Sequence, residues 1–113
     1  MYKNGYPGVL KNALDYLEPQ ALKYKPIGIC TVSSGRFERL DGLAQLRLVS
    51  LALGALPIPD KLPVAKVKEL FDENGDLSDL KFQTRLESFI NELVWYTEIM
   101  VNQKRCISLS KNP

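Results

Sequence analysis

Apolar side chains recur near the start of the chain at Leu10, Ala13, Leu14 and Leu17, the i, i+3, i+4, i+7 spacing of one helical stripe. Asn4 or Gly5 is placed to cap this helix, Pro7 falls near its first turn, where a missing N–H costs nothing, and Pro19 ends it. The period then changes. Ile27, Gly28, Ile29, Cys30, Thr31 and Val32 form a nearly continuous apolar, β-branched run, which predicts a strand buried on both faces, as in a parallel sheet covered by helices. After the small-residue turn Ser33 to Phe37 a second helix is predicted from about Asp41 to Leu53. Leu43, Leu46, Val49, Leu51 and Leu53 spread apolar surface over much of its circumference, and Gly54 is placed to terminate it.

Helix, strand, small-residue turn and helix make one step of a doubly wound α/β fold, in which ligands sit outside the carboxyl ends of the strands. That makes the turn from Ser33 to Phe37 a candidate ligand loop. Residues 55–67 carry three prolines, which predicts a short edge strand and an extended crossing. The chain turns at Asp72 to Asp76, and a long helix follows from Ser78 or Asp79 to Asn102. One side of it holds Phe82, Leu86, Phe89, Ile90, Leu93, Thr97, Met100 and Val101, with Ser78 as N-cap and Asp79 in the first turn. Trp95, Tyr96 and Ile99 fall off that stripe, so the helix is apolar on more than one side, and either deep burial or a second subunit accounts for that. Residues 104–113 read as a weakly ordered tail to a single domain over 1–103.

Composition narrows the chemistry. The chain has 113 residues, 45% of them hydrophobic, enough for one core. Its 15 basic and 13 acidic residues are spread along the whole length, so nothing resembles a nucleic-acid footprint. Met1 is followed by polar and turn residues, and the apolar stretch from Leu48 to Leu56 is too short for a bilayer, which makes a cytoplasmic, non-membrane protein the expectation. There is no histidine, which excludes Ser-His and Cys-His nucleophilic pairs and the commonest general base near neutral pH. Cys30 and Cys106 lack metal-ligand spacing and read as buried or incidental thiols. Asp72, Asn74, Asp76 and Ser78 alternate like calcium-loop ligands. However, Leu77 stands where the glycine is needed and Gln83 where a bidentate Glu is needed, so a surface turn is expected and no metal site. No side chain is assigned a catalytic role; any chemistry has to come from a cofactor or from unusual carboxylates.

The stretches YPGVLKNALDYL, KPIGICTVSSGRF, LALGALPIP and LFDENGDL, in this order and spacing, resemble the NADPH-dependent FMN reductase family of flavodoxin-like flavoproteins, from about Tyr2 to Val94. The resemblance implies the C-terminal part of a flavodoxin-like three-layer sandwich, a doubly wound parallel sheet with flanking helices. It also implies FMN as cofactor and NADPH or NADH as reductant. The family's flavin-ring loops correspond here to Tyr2, Lys3, Asn4 and Gly5, and to Ser33, Ser34, Gly35, Arg36 and Phe37. Two departures stand out: the family's Tyr-Asn pair is Tyr2-Lys3, with Asn4 one place late, and its Gly-Gly is Glu38-Arg39.

The resemblance further implies that the family's N-terminal portion, with three strands and the loop that binds the FMN phosphate, has no counterpart here. The expectation is an NAD(P)H-dependent FMN or quinone-type oxidoreductase whose FMN affinity in isolation is weak. Its open strand edge would be covered by another copy of the chain, by a complementing N-terminal polypeptide or by rearranged helical packing. The alternative expectation is a non-catalytic remnant that assembles through its apolar helices.

Overall fold

A parallel strand pair needs a crossover that returns the chain to the same end of the sheet, and a helix is the usual one. The computed structural model, which describes residues 7–35 and 40–111, has this arrangement twice over. Helix α1 (Gly8–Asp15) leads to strands β1 (Pro26–Ile27) and β2 (Cys30–Val32). Helix α2 (Leu40–Ala52) then carries the chain back to β3 (Leu56–Pro57) and β4 (Leu62–Val64), and a short 3-10 helix (Val67–Leu70) and helix α3 (Leu80–Lys111) complete the chain. β1 pairs with β3 and β2 with β4, both in parallel.

The expected single strand over 27–32 is therefore interrupted, and the register explains why. Pro26 faces Leu56 and Ile27 faces Pro57, but Cys30 faces Leu62. Residues 28 and 29 thus lie against four residues, 58–61, and the opposing segment has to bow to take up its two extra residues. Side chains hold the bow in place. Arg85 of α3 makes a bidentate pair with Asp60, Nη1 to Oδ2 at 2.9 Å and Nη2 to Oδ1 at 2.8 Å, and also donates to the Lys61 carbonyl. The Asp60 N–H donates to Glu92 at 3.0 Å. Because the Arg85 and Asp60 side chains keep 42% and 26% of their exposure, the pair is only partly shielded from water. Arg85→Ala is expected to lower unfolding free energy by about 1 kcal/mol, read as a lower urea midpoint at unchanged slope.

Side-chain alternation assigns the two faces of the first strand pair. Ile27 and Ile29 point toward α1 and α2, with which they line a common cavity. Gly28 points the other way, where a Cβ would lie 2.7 Å from the Phe89 ring and 3.4 Å from Leu93. Helices thus lie on both faces of parallel strands, and the fold is a partial flavodoxin-like α/β sandwich. Burial on both faces does not extend along the whole strand. Cys30 and Val32 are exposed, because α3 crosses the strands at β1 and leaves that face of β2 open. Phe89, Ile58, Leu62 and Val64 form the core, with Phe82, Leu86, Leu93 and Tyr96 packed around them.

Four termini differ from expectation, the first being the end of α1, which stops at Asp15, four residues before Pro19. α1 carries no side-chain cap: Pro7 occupies the N-cap position and its carbonyl accepts from Lys11 N–H, while Asn4 and Gly5 lie outside the described residues. α3 is capped by Asp79, whose Oδ1 accepts from Phe82 N–H at 2.9 Å, and the Ser78 hydroxyl turns instead to the Leu70 carbonyl. α3 also passes Asn102 and continues to Lys111, since Gln103, Lys104 and Arg105 are good helix formers and no glycine or proline intervenes. The stop after α2 is as expected. Gly54, at φ 81°, donates to Leu51 O, and Ala55 N–H donates to Ser50 O, the two bonds of a Schellman cap.

Along α3 the buried face is 82, 86, 89, 93 and 96, which fall within about 80° of one another at 100° per residue. Tyr96 therefore belongs to the core face, edge-on to Trp95 at 4.9 Å, whereas Ile90 and Val101, expected on that side, are exposed.

Candidate functional site at the strand carboxyl ends

The chain enters this region from β2. Past the last ladder pair, Ser33 N–H donates to the Val64 carbonyl at 2.8 Å, extending the parallel register by one step. Ser33 then fixes the turn twice. Its carbonyl accepts from Val67 N–H at 3.1 Å, and its Oγ accepts from Gly35 N–H at 3.1 Å, the local bond by which serine builds turns. The Gly35 carbonyl accepts from Lys66 N–H at 2.8 Å. The loops that follow two adjacent parallel strands, 33–35 and 65–67, are thereby tied into one rim at the carboxyl edge, the position where doubly wound sheets bind ligands.

Lys66 was not singled out by its sequence. It sits at φ 48°, ψ 44°, a left-handed conformation that costs a side-chain-bearing residue about 1–2 kcal/mol. The bond to Gly35 and the bond from Glu69 N–H to the Lys66 carbonyl hold it there. No motif in ALPIPDKLPVAKV signals this, because the strain comes from joining two loops distant in sequence.

Of the residues expected to face a flavin, Ser33, Ser34 and Gly35 are brought to this rim. Tyr2, Lys3, Asn4, Gly5, Arg36 and Phe37 lie outside the described residues. Ser34 and Gly35 are exposed, and a Cβ at Gly35 would meet nothing closer than Ser33 Oγ at 3.6 Å, so this backbone is open to a flat ligand. Two residues before Ser33, in β2, Thr31 is 3% exposed and its Oγ1 has no hydrogen-bond partner among the described residues. That hydroxyl is enclosed within the fold, so it is the open backbone at 34 and 35 that would fit the polar edge of a flavin ring.

A second concavity, about 270 Å³, lies between α1, residues 27–30 and α2. Leu10, Leu14, Leu22, Leu46 and Leu53 line it, and its one hydroxyl, that of Ser50, is already bonded to the Leu46 carbonyl at 2.7 Å. With no charged group in its wall it suits apolar side chains rather than a phosphorylated ligand.

Other candidates resolve into structure. The calcium-like stretch turns inward: Asp72 Oδ1 accepts from Asn74 and Asp76 N–H groups at 2.9 and 3.0 Å, and Gly75 takes φ 82°. Among the described residues no three acidic or cysteine side chains gather to hold a metal ion. Both cysteines are free and surface-accessible rather than buried. The Cys30 thiol still lies close enough to the protein for desolvation to push its pKa up, which disfavours the thiolate.

Comparison with known proteins agrees with this geometry. The family model of NADPH-dependent FMN reductases matches residues 1–69. FMN-dependent NADPH-azoreductases of Staphylococcus aureus, including the one from strain COL, are 32% identical over 95 residues, 82% of this chain and 50% of theirs. The chain spans about half the length of these curated relatives. Over the matched residues lie α1, the paired parallel strands and the rim at 33–35, and on that match the chain belongs to the NADPH-dependent FMN reductase family.

Proposed function

We propose that this chain forms the ring-side part of an NAD(P)H-dependent FMN oxidoreductase that passes electrons to a quinone-type or azo acceptor in the cytoplasm. The observation that carries the reading is the rim of Ser33, Ser34, Gly35 and Lys66 at the carboxyl ends of two parallel strands. FMN supplies the redox chemistry, taking a hydride equivalent from the reduced nicotinamide and giving electrons to the acceptor. The protein's part is to bind and orient. Backbone groups of Ser34 and Gly35 would meet the ring edge, and the tied loops 33–35 and 65–67 keep the rim rigid. No histidine is needed, since no side chain has to act as acid or base at this rim.

The strand edge supports a need for more polypeptide. Among the described residues β1 and β2 are paired along one side only, and α1 buries none of its residues although its stripe lines the apolar cavity. An unpaired parallel edge beside an apolar cavity is a site for an added strand, supplied by a complementing N-terminal chain or by a second copy. The described helices include none long and apolar enough to cross a membrane.

Fluorescence titration with FMN tests the reading. The chain alone is expected to quench FMN weakly. Addition of a polypeptide equivalent to the N-terminal half of the relatives is expected to tighten quenching at least tenfold and to permit bleaching by NADPH. Absence of quenching with both pieces present would refute it.

A further inference from the structure

The hydrogen bonds that join the proline-rich segment to residues 25–29 skip a step. Leu56 N–H donates to the Lys25 carbonyl and Ile58 N–H to the Ile27 carbonyl, both at 2.9 Å, so a regular parallel ladder would next bring Asp60 N–H to the Ile29 carbonyl. Leu62 N–H takes that acceptor instead, at 3.1 Å. Asp60 N–H, displaced from the ladder, donates to Glu92 Oε2 at 3.0 Å. Its neighbours are met by side chains too: the Pro59 carbonyl accepts from Arg47 of α2 at 3.4 Å, Lys61 N–H donates to Asp60 Oδ1 at 2.9 Å, and Arg85 of α3 donates to the Lys61 carbonyl while pairing with the Asp60 carboxylate. Side chains from two helices thus replace the ladder bonds of the bow.

The skipped bond defines a second register. With Asp60 N–H on the Ile29 carbonyl, Cys30 would face Asp60 rather than Leu62, and the chain beyond the bow would advance by two residues, about 6.6 Å along the sheet. A shift of two keeps every side chain on its own face, so the apolar pattern opposes it only by placing Asp60 where Leu62 is buried. The rim, however, would come apart. Residues 65–67 would overshoot 33–35, and the bonds from Lys66 N–H to the Gly35 carbonyl and from Val67 N–H to the Ser33 carbonyl would be lost. Backbone strain favours that outcome, because the observed register holds Lys66 at φ 48°. The observed register therefore needs a hold, and α3 supplies one.

We propose that Arg85 and Glu92 are positioning residues of the candidate site: from α3 they hold Pro59, Asp60 and Lys61 out of the ladder and thereby fix the register that brings Lys66 to Gly35. Their bonds are to the bow, and they act on the rim through β4. The link to a flavin rests on the proposed function; the link to the register does not, and it is read without flavin.

Residue-resolved amide exchange of the full chain tests it, with circular dichroism to verify that each variant stays folded. Lys66 N–H reports the rim, and Ile58 N–H, bonded to Ile27 ahead of the bow, reports the sheet independently. In Arg85→Ala and in Glu92→Ala, exchange at Lys66 is expected to rise at least about tenfold relative to exchange at Ile58, because only the segment beyond the bow gains a new way to open. Asp60→Val combined with Glu92→Ala removes the polar hold and makes positions 58, 60, 62 and 64 uniformly apolar. In that variant the nuclear Overhauser contact of Val32 is expected to move from Val64, its observed partner, to Leu62. Deleting Pro59 and Asp60 supplies the rescue: the ladder becomes regular in the observed register, so Lys66 is expected to exchange as in the wild type and to be indifferent to Glu92→Ala. Equal acceleration at Lys66 and Ile58, a Val32–Val64 contact that survives in D60V/E92A, or a shortened chain still sensitive to Glu92→Ala would overturn the proposal.

Discussion

Replacing Phe89 with alanine is expected to remove about 3–5 kcal/mol of stability, a large share of what a domain of this size possesses. The ring is 6% exposed and is the one α3 side chain in the fully buried cluster with Ile58, Leu62 and Val64. It packs a 32-residue helix against Ile58 and the β4 residues Leu62 and Val64. The hole left behind cannot collapse easily, because the strands around it are fixed by their parallel ladders and by the Arg85–Asp60 pair. Urea unfolding followed by helical circular dichroism gives the number, and Ile90→Ala is the internal control. That neighbour is 47% exposed, so its truncation is expected to cost no more than about 0.5 kcal/mol in the monomer. Equal losses at 89 and 90 would mean that α3 is rotated from the described orientation. Function is linked to the same residue: Val64 ends β4, whose following loop holds Lys66 and, through it, Gly35. A domain that loses Phe89 is therefore expected to lose the rim as well.

What the sequence carried, and where it stopped, follows from the range of the forces involved. The stripe of α1, the greasy α2, the Gly54 stop and the edge character of the proline-rich segment are local: they depend on period, on a positive φ or on a missing N–H. The rim at Ser33 to Gly35 was legible for the same reason, as small residues directly after a strand. Lys66 was not, because its left-handed backbone results from a bond to a residue about thirty positions earlier. The break between β1 and β2 was equally hidden. It arises from two extra residues in the opposing segment, held by Arg85 and Glu92 from a third element, and no periodicity in 27–32 records that. The face of α3 was half legible. Apolar residues cover more than one side, and only packing against Ile58, Leu62 and Val64 selects Tyr96 over Ile90 for the interior.

Gly28→Val separates local preference from packing. Judged by strand propensity alone, valine should improve the segment, since glycine in a strand costs entropy and valine is a strong strand former. The structure reverses the sign. A Cβ at 28 would lie 2.7 and 3.1 Å from two carbons of the Phe89 ring and 3.4 Å from Leu93 Cδ2, and a ring packed into the core has nowhere to swing. The expected loss is about 1–3 kcal/mol, as for other overpacked cores, again read from urea midpoints. The combination with Phe89→Ala is the sharper measurement. In that background the ring is gone and the methyl groups of valine enter the space it leaves, so Gly28→Val is expected to become neutral or stabilising. The coupling between the two positions should then reach about 1 kcal/mol or more in favour of the double variant. Simple additivity would show that α3 does not press on the strand at Gly28, and the two-sided covering of the sheet would have to be withdrawn.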